Sequence, residues 1–237
     1  MADPTGRVAL VTGAGSGVGR ATARRLAAAG LGLGLLGRRP EPLEALAAEL
    51  ADAGGRAVAL PADVADEPAV AAAVARLSSE LGGVDVLVHS AGIGRYGPVD
   101  GYPLHDWEQT FATNVTGLFL CARAVIPVMR RRGGGAIVAI SSGAGKRGVA
   151  GRAAYSASKF AVLGFMEALA EEVRRDGIKC ATVVPGSVLT AFGPQTVAEK
   201  RASGNRYLEP EDVADAILYL LEQPARAWTQ ELNLWPF

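Results

Sequence analysis

Arg7-Val8-Ala9-Leu10-Val11-Thr12-Gly13-Ala14-Gly15-Ser16-Gly17-Val18-Gly19 is the stretch whose reading decides the fold. Arg7–Thr12 is a short apolar run of the kind buried as a strand, and from Gly17 to Ala29 the chain takes on helical character. Between them lies a glycine-spaced turn. Glycines there let the backbone bend sharply and approach a pyrophosphate closely, while the helix N-terminus offers unpaired N–H groups and the positive end of its dipole. The spacing is T-G-x-x-x-G-x-G on Gly13, Gly17 and Gly19 rather than G-x-G-x-x-G. Gly13, Ser16, Gly17, Val18 and Gly19 are the candidate residues of a phosphate cradle.

Outward from this turn, short apolar runs alternate with longer alanine-rich segments. Strands are predicted at Leu31–Leu36, Arg56–Leu60, Val84–His89, Ala136–Ser141, Ile178–Val184 and Glu231–Leu234. Helices are predicted at Pro42–Ala53, Pro68–Leu81, Leu104–Arg132, Ala153–Arg175 and Pro210–Glu222. Strand and helix in repeated alternation imply right-handed crossovers and a sheet covered on both faces. The fold class is α/β: a single Rossmann-type, doubly wound domain over 1–237, with a seven-stranded, mostly parallel sheet. Ser187–Leu208 lacks a clear period and carries Gly193, Pro194 and Gly204; a loop of this length reads as a substrate lid. Arg130-Arg131-Arg132, followed by three glycines, reads as a helix C-terminus offsetting its dipole rather than as a binding patch.

Composition narrows the function. Lys plus Arg equals Asp plus Glu at 24 each, so a nucleic-acid or anionic-membrane surface is not expected as the main business of the chain. The two cysteines, Cys121 and Cys180, form no C-x-x-C, and with only two histidines no metal site is expected. There is no G-x-S-x-G elbow. The N-terminus shows no signal pattern and no run of 18 apolar residues occurs, so the expected location is the cytoplasm, away from the membrane.

The second predicted strand ends Leu35-Leu36-Gly37-Arg38-Arg39. A site for NAD(H) wants a carboxylate near this point for the ribose 2′-OH; two arginines stand there instead, suited to a 2′-phosphate. NADP(H) is therefore favoured over NAD(H). Asp63-Val64, after the third strand, is placed to receive an adenine amino group, although Asp63 could equally cap the next helix.

Tyr155-Ser156-Ala157-Ser158-Lys159 opens a predicted helix, which puts Tyr155 and Lys159 on one face. A neighbouring cation lowers a phenol pKa and makes Tyr155 a plausible general acid/base. Ser142 ends the preceding strand, where its hydroxyl can hold a carbonyl oxygen in the ligand crevice.

With these motifs in order, the chain resembles the short-chain dehydrogenases/reductases over essentially its whole length. The resemblance rests on Thr12-Gly13-x-x-x-Gly17-x-Gly19, Asn114 in Asn-Val-Thr-Gly, Ser142, Tyr155-x-x-x-Lys159 and Pro185-Gly186-Ser187-Val188-Leu189-Thr190. It implies that Tyr155 moves the substrate proton, that Lys159 lowers the tyrosine pKa and holds the nicotinamide ribose, and that Ser142 orients the substrate oxygen. Asn114, in a bent helix, would support a water linking Lys159 to solvent. Pro185, Gly186, Val188 and Thr190 would hold the nicotinamide end, and the backbone of Ser90, Ala91 and Gly92 would line the cofactor. His89-Ser90 stands where the family usually has Asn-Asn, so His89 either replaces a strand-tying asparagine through a ring N–H or loosens that end of the sheet.

Tyr96, Val149, Leu189 and Phe192 are expected to wall a largely apolar substrate pocket, with Lys146, Arg147 and Arg152 at its mouth. The helix from Tyr155 is apolar on more than one side, and a second subunit could cover what the sheet does not. The resemblance implies a homodimer or homotetramer. The expected activity is NADP(H)-dependent interconversion of a carbonyl and a secondary alcohol. A 3-oxoacyl thioester reductase is the alternative among enzymes, and a non-catalytic dinucleotide sensor that binds a partner is the alternative outside them.

Overall fold

The computed structural model describes residues 6–237; residues 1–5, part of the N-terminus read above for a signal pattern, lie outside the described residues. Seven strands form one parallel sheet: β1 (Val8–Thr12), β2 (Gly32–Gly37), β3 (Ala57–Pro61), β4 (Val86–His89), β5 (Gly135–Ile140), β6 (Ile178–Pro185) and β7 (Glu231–Leu234). Their order is β3-β2-β1-β4-β5-β6-β7. The chain moves outward one way from β1 and restarts the other way at β4. That reversal opens a crevice at the carboxyl ends of β1 and β4, the usual ligand position in such sheets. Thr12 pairs in register with both Leu36 and His89, so the three strand ends around the crevice are level.

Alternating side chains build two cores. Leu10, Leu87 and Ile137 pack on one face with residues of α3 (Glu67–Leu81), α5 (Gly117–Arg131) and α6 (Ala153–Val173). Val11, Leu35 and Val138 pack on the other with α1 (Gly17–Ala28), α2 (Pro40–Asp52) and α8 (Pro210–Leu221). Strands buried on both faces read as continuous apolar runs, which is why they were legible.

Two predicted segments differ. The expected single helix over Leu104–Arg132 is α4 (Leu104–Phe111), a π-helical turn at Ala112–Thr116, and then α5. The turn carries Asn114 inward, 1% exposed, and Gly117 follows where a Cβ would lie 2.6 Å from Val64 Cγ2. Taken as a whole, Leu104–Arg131 is long and apolar enough by composition to cross a membrane. Here it is the crossover between β4 and β5, burying Leu118, Cys121, Val125 and Met129 in the core. The 187–208 segment is not wholly irregular: it contains α7 (Val197–Ala202), started by a capping box between Thr196 and Glu199. The basic run ends α5, with Arg130 paired to Asp176, Arg132 paired to Asp85, and Gly133 in the left-handed conformation at φ 83°.

Candidate active site

The glycine turn after β1 is closed tightly enough to exclude side chains. A Cβ on Gly19 would lie 2.3 Å from the Gly13 carbonyl oxygen, and one on Gly13, at φ 67°, would lie 3.0 Å from the Ala91 backbone. Ser16 is the N-cap of α1, but its hydroxyl makes no capping bond and no acidic residue stands in the first turn. The helix N-terminus is thus left uncompensated, as a phosphate cradle requires. Thr190 closes the far side: its Cγ2 lies 3.2 Å from the position of a Cβ on Gly17.

Thr12 ties the cradle to the next loop. Its hydroxyl oxygen accepts from the backbone N–H of Ser90 (3.1 Å) and Ala91 (3.0 Å) and lies 3.2 Å from His89 Nδ1. With both lone pairs engaged, the hydroxyl proton goes to Nδ1, and the ring proton sits on Nε2. Nε2 is buried and has no partner among the described residues. Burial, aided by the charge of Lys159, lowers the His89 pKa to about 3. His89 is therefore a neutral strand-end tie, and it works through Nδ1 as an acceptor rather than through the ring N–H expected of an asparagine substitute.

A cleft of about 390 Å³ runs from the cradle along the carboxyl ends of β1–β3. Arg38, Arg39, Asp63 and Val64 line it, together with the backbone of Ala91 and Gly92. No carboxylate stands at the end of β2. Asp63 Oδ1 accepts from Ala65 N at 2.9 Å, while Asp66 supplies the N-cap of α3; Asp63 therefore closes the turn before the helix and does not cap it. Thr113, which no motif singled out, also lines the cleft from the π-helical turn. The glycine-lined turn, the uncompensated helix end and the two arginines fit the phosphates of a dinucleotide in charge.

Tyr155, Lys159, Ser142 and Asn114 converge beside this cleft. Tyr155 is in the first turn of α6, 7% exposed. Burial holds its phenol well above the usual range; the Ser142 hydroxyl and the Arg152 charge oppose that shift, and Tyr96 adds to it. Lys159 lies one turn on, with Nζ 5.8 Å from the Tyr155 ring centre, and it donates to the Ile140 carbonyl at 2.8 Å. Its burial lowers its pKa to about 8. Burial is the largest influence on both groups in this state.

Asn114 Oδ1 accepts from Ile93 N at 2.8 Å, and its Nδ2 donates to Ile93 O and to Ser158 Oγ, each at 3.0 Å. Its amide holds the loop after β4 against α6. A Cβ on Gly92 would fall between Asn114 Oδ1 (3.3 Å) and Lys159 Nζ (3.6 Å), which puts Gly92 where the cleft meets these two side chains.

Aromatic walls enclose Tyr155. Tyr96 meets its ring edge-on at 5.8 Å and Phe192 tilts against it at 5.6 Å. Leu189 is buried, and Val188 pairs with Leu208 across the base of the 187–208 segment. Lys200, missed by the sequence reading, is 8% exposed and donates to the carbonyls of Thr190 (2.7 Å) and Phe192 (2.9 Å). It pins Phe192 over Tyr155; one of only four lysines inside an apparently irregular segment was the available signal. Beyond Pro185, Gly186 donates to Leu234 O at 2.7 Å, and Trp235 lies against both Gly186 and Gly143. Lys146 is paired with Glu231 and so is not free at the mouth.

Comparison with known proteins agrees with this arrangement. The family model described as short chain dehydrogenase matches residues 7–201. The chain is 37% identical over 227 residues to the D-threitol dehydrogenase of Mycolicibacterium smegmatis, covering 93% of this chain and 87% of that one. It is 38% identical over 238 residues to the glycine betaine reductase of Emericella nidulans, covering 98% of this chain but only 19% of that much longer protein. Among solved structures, a 3-ketoacyl-ACP reductase from Sinorhizobium meliloti superposes with a TM-score of 0.87 at 37% identity, over 96% of each chain. The sheet order, the glycine cradle and the matched residues agree: the chain belongs to the short chain dehydrogenase family.

Proposed function

We propose that the chain is an NADP(H)-dependent oxidoreductase that interconverts a small-molecule carbonyl and a secondary alcohol, with Tyr155 as general acid/base. The observation that carries the reading is the convergence of Ser142, Tyr155 and Lys159 at the crevice, next to a cradle closed by Gly13 and Gly19. Members of this family use NAD(H) or NADP(H); the choice of NADP(H) is supported by Arg38 and Arg39 lining the cleft with no carboxylate at the end of β2.

The cofactor, when bound, supplies or takes up the hydride at the substrate carbon. In reduction Ser142 holds the carbonyl oxygen and Tyr155 gives it the phenol proton, so that carbonyl, reduced cofactor and one proton become alcohol and oxidised cofactor. A phenol kept protonated by burial suits that direction at neutral pH. Lys159, with its pKa near 8, retains a charge at pH 7 that stabilises the tyrosinate left behind. Gly13, Ser16, Gly17, Val18 and Gly19 would hold the phosphates, Asp63 and Val64 the adenine, and Pro185, Gly186, Val188 and Thr190 the nicotinamide end. The 187–208 segment, pinned by Lys200, serves as the lid.

A 3-oxoacyl thioester substrate is the second reading, favoured by the likeness to the Sinorhizobium meliloti reductase. We further propose a cytoplasmic homodimer or homotetramer that binds neither nucleic acid nor membrane. The exposed Phe119 of α5 and Phe160 of α6 support a contact between copies. Titration of the purified protein with NADPH and NADH, followed by a ketone panel, tests the reading. Preferential NADPH binding with ketone-dependent oxidation is expected; a folded protein that binds neither cofactor would return the partner-binding alternative.

A further inference from the structure

The crevice wall beyond Tyr155 carries a cation that the proposed reaction does not use. Arg152 is the N-cap of α6, three residues before Tyr155, and reaches the neighbourhood of Tyr155 through Tyr96. Its guanidinium lies over the Tyr96 ring, 4.6 Å from the centre, and Tyr96 in turn meets Tyr155 edge-on at 5.8 Å. The backbone beneath it is fixed: Arg152 N donates to Val149 O at 3.0 Å, and Gly97 N donates to Gly151 O at 2.8 Å, joining the two loops of the wall.

Of the neighbouring cations three are engaged, while Arg147 is exposed, has no side-chain partner among the described residues and stacks on no ring of the wall. Arg95 pairs with Asp106 and Gln109, Lys146 pairs with Glu231, and Lys200 is bonded to two carbonyls. Arg152 is exposed and has no ion-pair or side-chain hydrogen-bond partner among the described residues. A guanidinium laid on an aromatic face keeps its N–H edges directed outward, the geometry that takes two oxygens of a carboxylate or phosphate. Its charge reaches the reacting group, since it favours the Tyr155 phenolate against burial.

We infer that Arg152 is an anion clamp: the substrate carries an oxyanion group, carboxylate or phosphate ester, that pairs with Arg152 while its apolar body lies against Tyr96 and Phe192. The inference rests on the oxidoreductase reading of the same crevice. It departs from a pocket whose cations merely face solvent.

Calorimetric titration of the NADP⁺-loaded protein with benzoate, phenyl phosphate and benzamide tests it, in wild type, Arg152→Gln and Arg152→Lys. One or both anions bind the wild type more tightly than benzamide, and Arg152→Gln weakens the anion roughly tenfold or more. Arg152→Lys, which keeps the charge but not the fork, restores part of the loss, and benzamide does not distinguish the three proteins. The tighter anion assigns carboxylate or phosphate. Equal affinity for anion and amide in the wild type, no anion binding, or anion binding that survives Arg152→Gln overturns the clamp. Binding is read apart from turnover. Ketone reduction without anion preference leaves the oxidoreductase reading standing and removes the clamp, whereas Arg152-dependent anion binding by a protein that reduces no carbonyl does the reverse.

Discussion

Lys159 Nζ stands 5.8 Å from the centre of the Tyr155 ring, and its proton is directed to the Ile140 carbonyl at 2.8 Å. The two groups share a helix face, as the i, i+4 spacing requires, yet burial governs both. The folded protein releases the Lys159 proton near pH 8, whereas the unfolded chain holds it to about 10.5. Between those values the unfolded state carries the extra proton, so stability rises with pH, by up to about 1.4 kcal/mol per pH unit. Tyr155 acts in the opposite sense, but only above its ordinary range near pH 10. The buried thiols of Cys121 and Cys180, pushed up to about 12 from an ordinary 9, also act in the opposite sense here and are common to wild type and Lys159→Met. The effect is therefore read by difference: from pH 8 to 10 wild type should gain thermal stability relative to Lys159→Met, and parallel curves would count against the buried ammonium.

His89 gives the mirror case at acid pH. Its pKa is about 3 in the folded protein and 6.5 in the ordinary state, so protonation favours unfolding as pH falls through that interval. Most carboxylates titrate below pH 5, which leaves pH 6.5 to 5 as the diagnostic window. Replacing His89 by asparagine should flatten the stability curve there. An unchanged slope would mean that the unpartnered Nε2 is not the source.

Asn114 is expected to be worth more to stability than an exposed helical residue. Asn114→Ala strips Ile93 N and Ile93 O of their side-chain partner and leaves Ser158 Oγ without its Asn114 Nδ2 donor. A loss of roughly 1–3 kcal/mol is expected in urea unfolding, with a smaller loss for Ser158→Ala. A variant as stable as wild type would show that the π-helical turn is held by something else.

The proposed preference for NADPH rests on Arg38 and Arg39 at the end of β2. Arg38→Asp should weaken NADPH binding roughly tenfold to a hundredfold and spare or improve NADH, because a carboxylate repels the 2′-phosphate and accepts from a 2′-hydroxyl. Retention of the NADPH preference would move the assignment off Arg38.

Lys200 should control the segment over Tyr155. Lys200→Met removes both bonds to the Thr190 and Phe192 carbonyls. Hydrogen exchange around residues 190–192 is expected to quicken, with KM for the carbonyl raised more than kcat is lowered. Unaltered exchange would show that Phe192 is held by aromatic packing alone.

What was legible in the sequence follows from where the information sits. The strand ends fell within two residues of their predicted places because buried parallel strands are apolar throughout, and the glycine turn announced itself because no side chain fits within 2.3 Å of Gly13 O. A bend at Asn114 was implied by the resemblance, but the π-helical turn at Ala112–Thr116 had no local signature, since the Ile93 backbone that Asn114 bonds lies 21 residues away. Thr12 and Lys200 act through backbone partners 8 to 79 residues away, and His89 through the Thr12 hydroxyl 77 residues away, which no local pattern encodes. The pairing of Tyr155 with Lys159 was readable as a spacing, but the burial that sets their proton affinities was not. The Thr196–Glu199 capping box, by contrast, is readable locally as Thr-x-x-Glu.

The most direct test of the central claim is the split between binding and turnover in Tyr155→Phe. Wild type and variant would be compared for NADPH affinity by fluorescence and for ketone-dependent NADPH oxidation. The variant should bind NADPH within about threefold of wild type while kcat falls at least roughly a hundredfold, the loss of a general acid. Comparable turnover by the two proteins would contradict the assignment of Tyr155 as the proton donor, and with it the proposed reaction.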